Sequence, residues 1–183
     1  MNAPCPTSMP LSTEIDSAEL RRCVGRFATG VVVVTYPTPD GPRGMTINSF
    51  TSVSLDPPLI LASVARKARS HDLLIGSQFT VNVLNARQMH LAQHFAGGQT
   101  DIEIEWDLDP LPSLAGSLAR IYCEPWDRHD GGDHSLFLGR VVGLDERDGN
   151  ALAYHESRFT RVATPTPGLP VAEPSAREQE LWA

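Results

Sequence analysis

GMTINSFTSVSLDPP, residues 44–58, is rich in Thr, Ile, Phe and Val, residues that favour extended backbone, and predicts a strand. Alternation places Met45 and Ile47 on one side and Thr46, Asn48 and Phe50 on the other. The hydroxyls of Thr51, Ser52 and Ser54 follow. Pro57-Pro58 then closes the segment, because proline lacks the ladder donor and restricts the residue before it. So many short amides and hydroxyls between apolar neighbours fit either a polar ring-shaped ligand lying on the strand or an ordinary edge strand with a solvated face.

On both sides of this segment the chain alternates between strand and turn signals. Upstream, Asp16 caps a predicted helix, with Glu19 at capping-box spacing and Leu20, Val24 and Phe27 as one apolar stripe. Gly30 is the expected stop. Val31–Tyr36 reads as a strand buried on both faces, and Pro37–Gly41 as its turn into residue 44. Downstream, Leu59–Val64 is a buried strand. ARKARSHDLL follows, with Ser70 as the cap of a short helix. Gln78–Leu84 is a strand, Arg87–Ala96 a helix ended by Gly97-Gly98, and Gln99–Pro112 a surface loop. Ser117–Glu124 and Ser135–Leu144 are strands joined by a loop over His129–His134, and Leu152–His155 adds a short one. Strands that do not alternate with helices predict a mainly antiparallel β-barrel with peripheral helices rather than a doubly wound sheet.

The chain has 183 residues, 41% hydrophobic and 20% charged, which suits one soluble domain with a sizeable core. Residues 1–12 are expected to form a flexible arm, 13–163 the domain, and 164–183 a proline-rich tail. A net charge of −7 argues against a nucleic-acid or anionic-membrane surface. The N-terminus lacks the basic start and apolar run of a signal peptide, and no stretch reaches the ~18 apolar residues of a membrane span. Cys5, Cys23 and Cys123 are widely spaced and odd in number, which predicts reduced thiols and a cytoplasmic location. His90 and His94 stand four apart, but without the Glu of H-E-x-x-H or a third ligand they predict no metal site. No G-x-G-x-x-G or G-x-S-x-G is present, so neither a Rossmann site nor a nucleophile elbow is expected.

Gly-Met-Thr-x-Asn-Ser-Phe-Thr-Ser-Val-Ser-x-x-Pro-Pro resembles the signature of the flavin reductase-like family. These are small flavin-binding split-barrel proteins that often serve as reductase partners of two-component monooxygenases. The resemblance runs from about Leu20 to about Phe159 and takes in residues 26–35 (RFATGVVVVT), 79–84 (FTVNVL) and 131–139 (GGDHSLFLG). It implies an antiparallel split β-barrel and NAD(P)H-dependent reduction of FMN or FAD, with hydride passing from nicotinamide C4 to flavin N5 and reduced flavin reaching the monooxygenase by diffusion. Thr46, Asn48, Ser49, Ser52 and Ser54, with Ser63 on the next strand, are then candidates for the flavin ring and ribityl chain.

Arg66, Lys67, Arg69 and Ser70 lie where a strand is expected to give way to a helix N-terminus, a natural anion site. Family members often carry a serine or threonine pair in this loop. Here only Ser70 remains, and Arg69 is the preferred phosphate contact. Gly131-Gly132-Asp133-His134 resembles the family's Gly-Asp-His motif, which makes His134 the candidate for positioning nicotinamide. The resemblance also implies a homodimer, and the apolar runs Val31–Val34 and Leu59–Leu61 supply more continuous apolar strand than one small barrel interior readily buries. Two rivals stand beside this: a non-catalytic flavin- or haem-binding barrel, and an oxidase of the pyridoxamine-phosphate type.

Overall fold

The computed structural model describes residues 14–98 and 101–162. The arm at 1–12, the tail at 164–183 and Cys5 therefore lie outside the described residues. In chain order the elements are α1 (Ser17–Val24), β1 (Thr29–Gly30), β2 (Val32–Tyr36), β3 (Arg43–Ile47), β4 (Phe50–Leu55), β5 (Pro58–Ala65) and β6 (Phe79–Val83). There follow α2 (Met89–Phe95), β7 (Trp106–Asp107), β8 (Ser113–Leu114), β9 (Ala119–Gly131), β10 (His134–Glu146), β11 (Leu152–His155) and β12 (Arg158–Arg161). Single 3₁₀ turns occupy Asp72–Leu74 and Ala86–Gln88.

Seven strands form one antiparallel sheet in the order β3-β2-β6-β9-β10-β5-β4. Residues 44–58 are therefore not one strand. They are broken at Asn48-Ser49 into β3 and β4, which lie at opposite edges of the sheet. That break dictates the shape. Laid flat, the two edges would stand about 29 Å apart at ~4.8 Å per strand spacing. The step from Ile47 to Phe50 spans at most about 11 Å. The sheet must therefore curl until its edges approach. The β4–β5 ladder runs right up to the break, where the Ser63 N–H donates to the Ser49 carbonyl at 3.2 Å and the Ser49 hydroxyl donates to the Ser63 carbonyl at 2.7 Å. β3 and β4 do not pair, so the curled sheet stays open along one seam, as a split barrel should.

The break also resets the alternation. Phe50 turns to the interior with Ile47, rather than lying opposite it with Thr46. The interior holds Val32, Val34, Tyr36, Met45, Ile60, Val64, Phe79, Val81 and Phe137. A second cluster lies outside the barrel wall, where Val31 and Val33 pack with Leu84, Leu91, Ala92, Leu114 and Leu152. Burial of β2 on both faces agrees with its unbroken run of valines, but the second face is covered by α2 and the β8 and β11 segments of the same chain.

Several local expectations need correction. α1 ends at a Gly25 cap rather than at Gly30, which joins β1 against β11. Its Asp16 cap accepts from the Glu19 N–H at 3.2 Å, as predicted, yet Leu20, Val24 and Phe27 are all exposed. Ser70 caps no helix, because Asp72–Leu74 is a single 3₁₀ turn with no side-chain cap. The 99–112 stretch contributes β7, and Ile102, Ile104 and Trp106 pack on the second cluster. The expected loop at His129–His134 is mostly ladder. β9 and β10 run as one long hairpin closed by Gly132-Asp133, with Gly132 at φ 74°, the conformation a type II′ turn asks of its first residue.

Candidate flavin and nicotinamide site

The cavities that open on the described residues include three of defined volume. Ligand pockets usually measure about 300–1,000 Å³. Volumes of about 180 and 200 Å³ fall below that range, whereas the third, at about 910 Å³, is large enough for a cofactor. Its walls are mixed. Tyr36, Met45, Leu73, Phe95 and Trp106 offer apolar and aromatic surface, while Arg43 and Arg69 bring two cations. A planar heterocycle carrying a phosphate matches that donor set: aromatic walls for the rings, guanidinium groups for the anion.

The predicted residues divide around this cavity. Arg69 and Ser70 line it, together with Gly44 and Met45 from the start of the motif. Thr46 and Asn48 line the smaller neighbour at the seam, against Val31, Ala96, Tyr154 and Phe159. Ser49 and Ser63 are joined at the end of the β4–β5 ladder, beside the seam, by the two hydrogen bonds described above. Ser52 and Ser54 sit on the β4 edge, flanking its bulge. Two of these hydroxyls already hold the fold: Thr46 Oγ1 donates to the Ala92 carbonyl at 2.8 Å, tying α2 to β3, and Ser49 Oγ is committed to Ser63. Their oxygens keep lone pairs and can still accept. Arg43 and Trp106, which no sequence motif marks, also line the large cavity, as does His94, which the sequence offers only as half of an incomplete metal pair. A period-two pattern was available for Trp106: apolar Ile102, Ile104 and Trp106 alternate with Asp101, Glu103, Glu105 and Asp107.

His134 begins β10 and pairs with Ala65, the last residue of β5. The ladder thus brings His134 to the strand end from which the Arg66–Ser70 turn departs. His134 Nδ1 lies 2.6 Å from Asp133 Oδ1, and that hydrogen bond holds the Asp133 carboxyl below the usual aspartate range. With Nδ1 so engaged, the ring's other nitrogen, Nε2, is left for a ligand. Just inside, buried His71 places Nε2 2.9 Å from Ser135 Oγ and Nδ1 2.7 Å from Asp72 Oδ1. The order Asp–His–Ser is that of a hydrolase triad. Ser135, however, is 2% exposed within a doubly paired strand, so no substrate can reach it; the chain is a cross-link between the 3₁₀ turn and β10. Cys123 is equally inaccessible, its thiol pushed up to about 12 by burial. Among the described residues no group of three or more His, Cys, Asp or Glu side chains could hold a metal.

Residues 24–163 match the family model described as the flavin reductase like domain. The chain belongs to that family. Of its relatives, the FMN reductase (NADH) SmoA of Agrobacterium fabrum is 40% identical over 150 residues, covering 80% of this chain and 86% of its own. The reductase subunit HsaB of a flavin-dependent monooxygenase from Mycobacterium tuberculosis is 37% identical over 141 residues, with 74% and 75% covered. Among solved structures, the Streptomyces globisporus NADH:FAD oxidoreductase SgcE6, in complex with NAD and FAD fragments, superposes with a TM-score of 0.76. It is 38% identical, over 85% of this chain and 96% of that one. Membership agrees with the curled antiparallel sheet derived from the strand order. Among the described residues no helix is long and apolar enough to cross a membrane.

Proposed function

We propose that this protein is an NADH-dependent reductase of FMN or FAD that hands reduced flavin to a separate monooxygenase component. One juxtaposition carries the reading: β5 and β10 end side by side, so the basic turn lining the large cavity and the His134 hairpin flank the same strand end. The named relatives, reductases of FMN and FAD and a monooxygenase's reductase subunit, support the same conclusion. When bound, flavin supplies the hydride acceptor, so the protein needs no acid or base of its own for that step.

The chain's share is binding and alignment. Thr46, Asn48, Ser49, Ser52, Ser54 and Ser63 offer acceptors and amides along the seam for the ring edge and ribityl chain. Arg69 and Ser70 take the phosphate. His134 orients nicotinamide, and alignment to about 3–3.5 Å between reacting atoms is worth several powers of ten in rate. Free Cys23 and Cys123 fit the reducing cytoplasm, where NADH is at hand. Steady-state NADH oxidation with added FMN, FAD or riboflavin tests the proposal. Turnover with added flavin supports it, whereas a protein that binds flavin and leaves NADH untouched would be a carrier.

Arg69 makes no ion pair among the described residues, so its charge is available to an anion. Arg69→Ala should weaken FMN binding by about 1.5–3 kcal/mol, roughly ten- to a hundredfold or slightly more, and leave riboflavin, which lacks the phosphate, near wild type. Fluorescence titration of both flavins measures this. Equal losses would remove Arg69 from the phosphate site.

We also propose that the protein is a homodimer. Val31 and Val33 do not support it, since their own chain covers them, and Leu59 and Ile60 are buried as well. The support comes instead from α1, which buries none of its residues yet carries Leu20 and Val24, with Phe27 just beyond at 74% exposure, and from Val53 and Leu55 on the β4 edge. Sedimentation at micromolar concentration should give twice the monomer mass. A monomer that turns over at full rate would contradict it.

A further inference from the structure

Arg66 stands among the basic residues of the β5 turn, yet its contacts go to the hairpin opposite. Its Nε–H donates to the Gly132 carbonyl at 2.9 Å, its Nη2 pairs with Asp130 Oδ2 at 3.0 Å, and its own backbone N–H donates to the Asp133 carbonyl at 2.9 Å. Asp130 in turn accepts from the Gly132 N–H through Oδ1 at 2.8 Å. Every residue from Asp130 to Asp133 except Gly131 is thereby held by Arg66 or by its carboxylate partner. The turn so fixed is the one that sets Asp133, and Asp133 sets the His134 ring. The carboxyl of Asp130 is held below its usual range, first by the Gly132 amide and then by Arg66, so it stays ionised for this contact.

We infer that Arg66 is a positioning residue for the Gly132–His134 turn, acting on nicotinamide use through His134 rather than on flavin phosphate. The inference rests on the proposed role of His134 and adds the device that holds it. A two-residue turn led by glycine has wide conformational freedom, and a tip closed only by its own ladder would sample more than one placement of the histidine. The planar guanidinium reaches a carbonyl and a carboxylate at once. Lysine, a point charge on a flexible stem, cannot reproduce both contacts.

The test is a double-mutant cycle on the full chain, using Arg66→Ala, Arg66→Lys, His134→Ala and the Arg66→Ala/His134→Ala pair. Readouts are the KM for NADH, kcat, and FMN and riboflavin affinities by fluorescence titration. Arg66 is half-exposed, so the fold should persist; unchanged melting temperatures verify this. His134→Ala is expected to raise the KM for NADH by up to about tenfold, the worth of one lost neutral hydrogen bond. Arg66→Ala should raise it by no more than that, with FMN affinity and kcat near wild type, and Arg66→Lys should restore little. The pair should be no worse than His134→Ala alone, because both act through one ring. If His134→Ala raises KM while Arg66→Ala is silent or additive, the inference fails and the role of His134 stands. Loss of FMN but not riboflavin affinity in Arg66→Ala would make Arg66 a phosphate ligand and overturn the inference. A silent His134→Ala would overturn the assignment of the motif and the inference with it.

Discussion

Asn82→Leu is expected to lower the unfolding free energy by about 2–4 kcal/mol, a large share of the ~5–15 kcal/mol typical of a domain. Asn82 is fully buried on β6, and both ends of its amide are used. Nδ2 donates to the Val33 carbonyl and to Thr35 Oγ1, each at 2.9 Å, and Oδ1 accepts from the Leu114 N–H at 2.8 Å. Thr35 passes the connection on by donating to the Pro112 carbonyl. One side chain thereby fastens the β7–β8 hairpin to the outside of the barrel. Leucine matches the branching but strands the buried Leu114 N–H, at a cost of about 1–3 kcal/mol, and removes the further hydrogen bonds to the Val33 carbonyl and the Thr35 hydroxyl, each worth about 1 kcal/mol. The effect should reach function, because Trp106 of β7 is a wall of the large cavity. Denaturant unfolding should show a lower midpoint at unchanged slope, with weaker flavin binding in the folded variant. A loss under about 1 kcal/mol would mean that the hairpin is held by its apolar contacts alone.

Gly139→Val should be comparably damaging for the opposite reason. Gly139 lies on β10 at a register shift, and a Cβ there would stand 2.6 Å from Phe79 Cζ and 3.0 Å from Cys123 Cβ. Both neighbours are buried in the interior, so neither has room to move aside. Overpacking of this kind costs about 1–3 kcal/mol for added methylenes, and valine brings three carbons to a site that has no room for one. Relief by a second change separates steric conflict from lost backbone freedom: Gly139→Val with Phe79→Ala should lose less stability than the sum of the two single changes. If the second change only adds its own cost, Phe79 is not the obstacle. Thermal melts of the two single variants and the pair decide it.

How much of this was legible beforehand depended on whether a residue's role was local. The valines of β2, the Asp16 cap and the Pro37–Gly41 turn are local signals, and each appears where the sequence places it. The break at Asn48-Ser49 is not local. Strand propensity continues through it, and only the need to cross from one sheet edge to the other interrupts the strand. The exposed stripe on α1 shows the same limit: periodicity identifies an apolar face but not what covers it. β12 went unread because its turn, Glu156-Ser157, adopts positive φ at both residues without the Asn-Gly pair that usually marks such a hairpin. At the site, the motif residues were readable in order, but their grouping was not. The split of Thr46 and Asn48 from Arg69 and Ser70, and the capture of Arg66 by Asp130, follow from how β5, β9 and β10 end together.

Anaerobic mixing of the purified protein with NADH and a flavin tests the central claim most directly. Catalytic amounts should consume NADH and bleach FMN or FAD in equal proportion. NADH deuterated at C4 should slow the single-turnover step, because that bond breaks as the nicotinamide is oxidised. Flavin that binds tightly and keeps its full colour with NADH present would contradict the account.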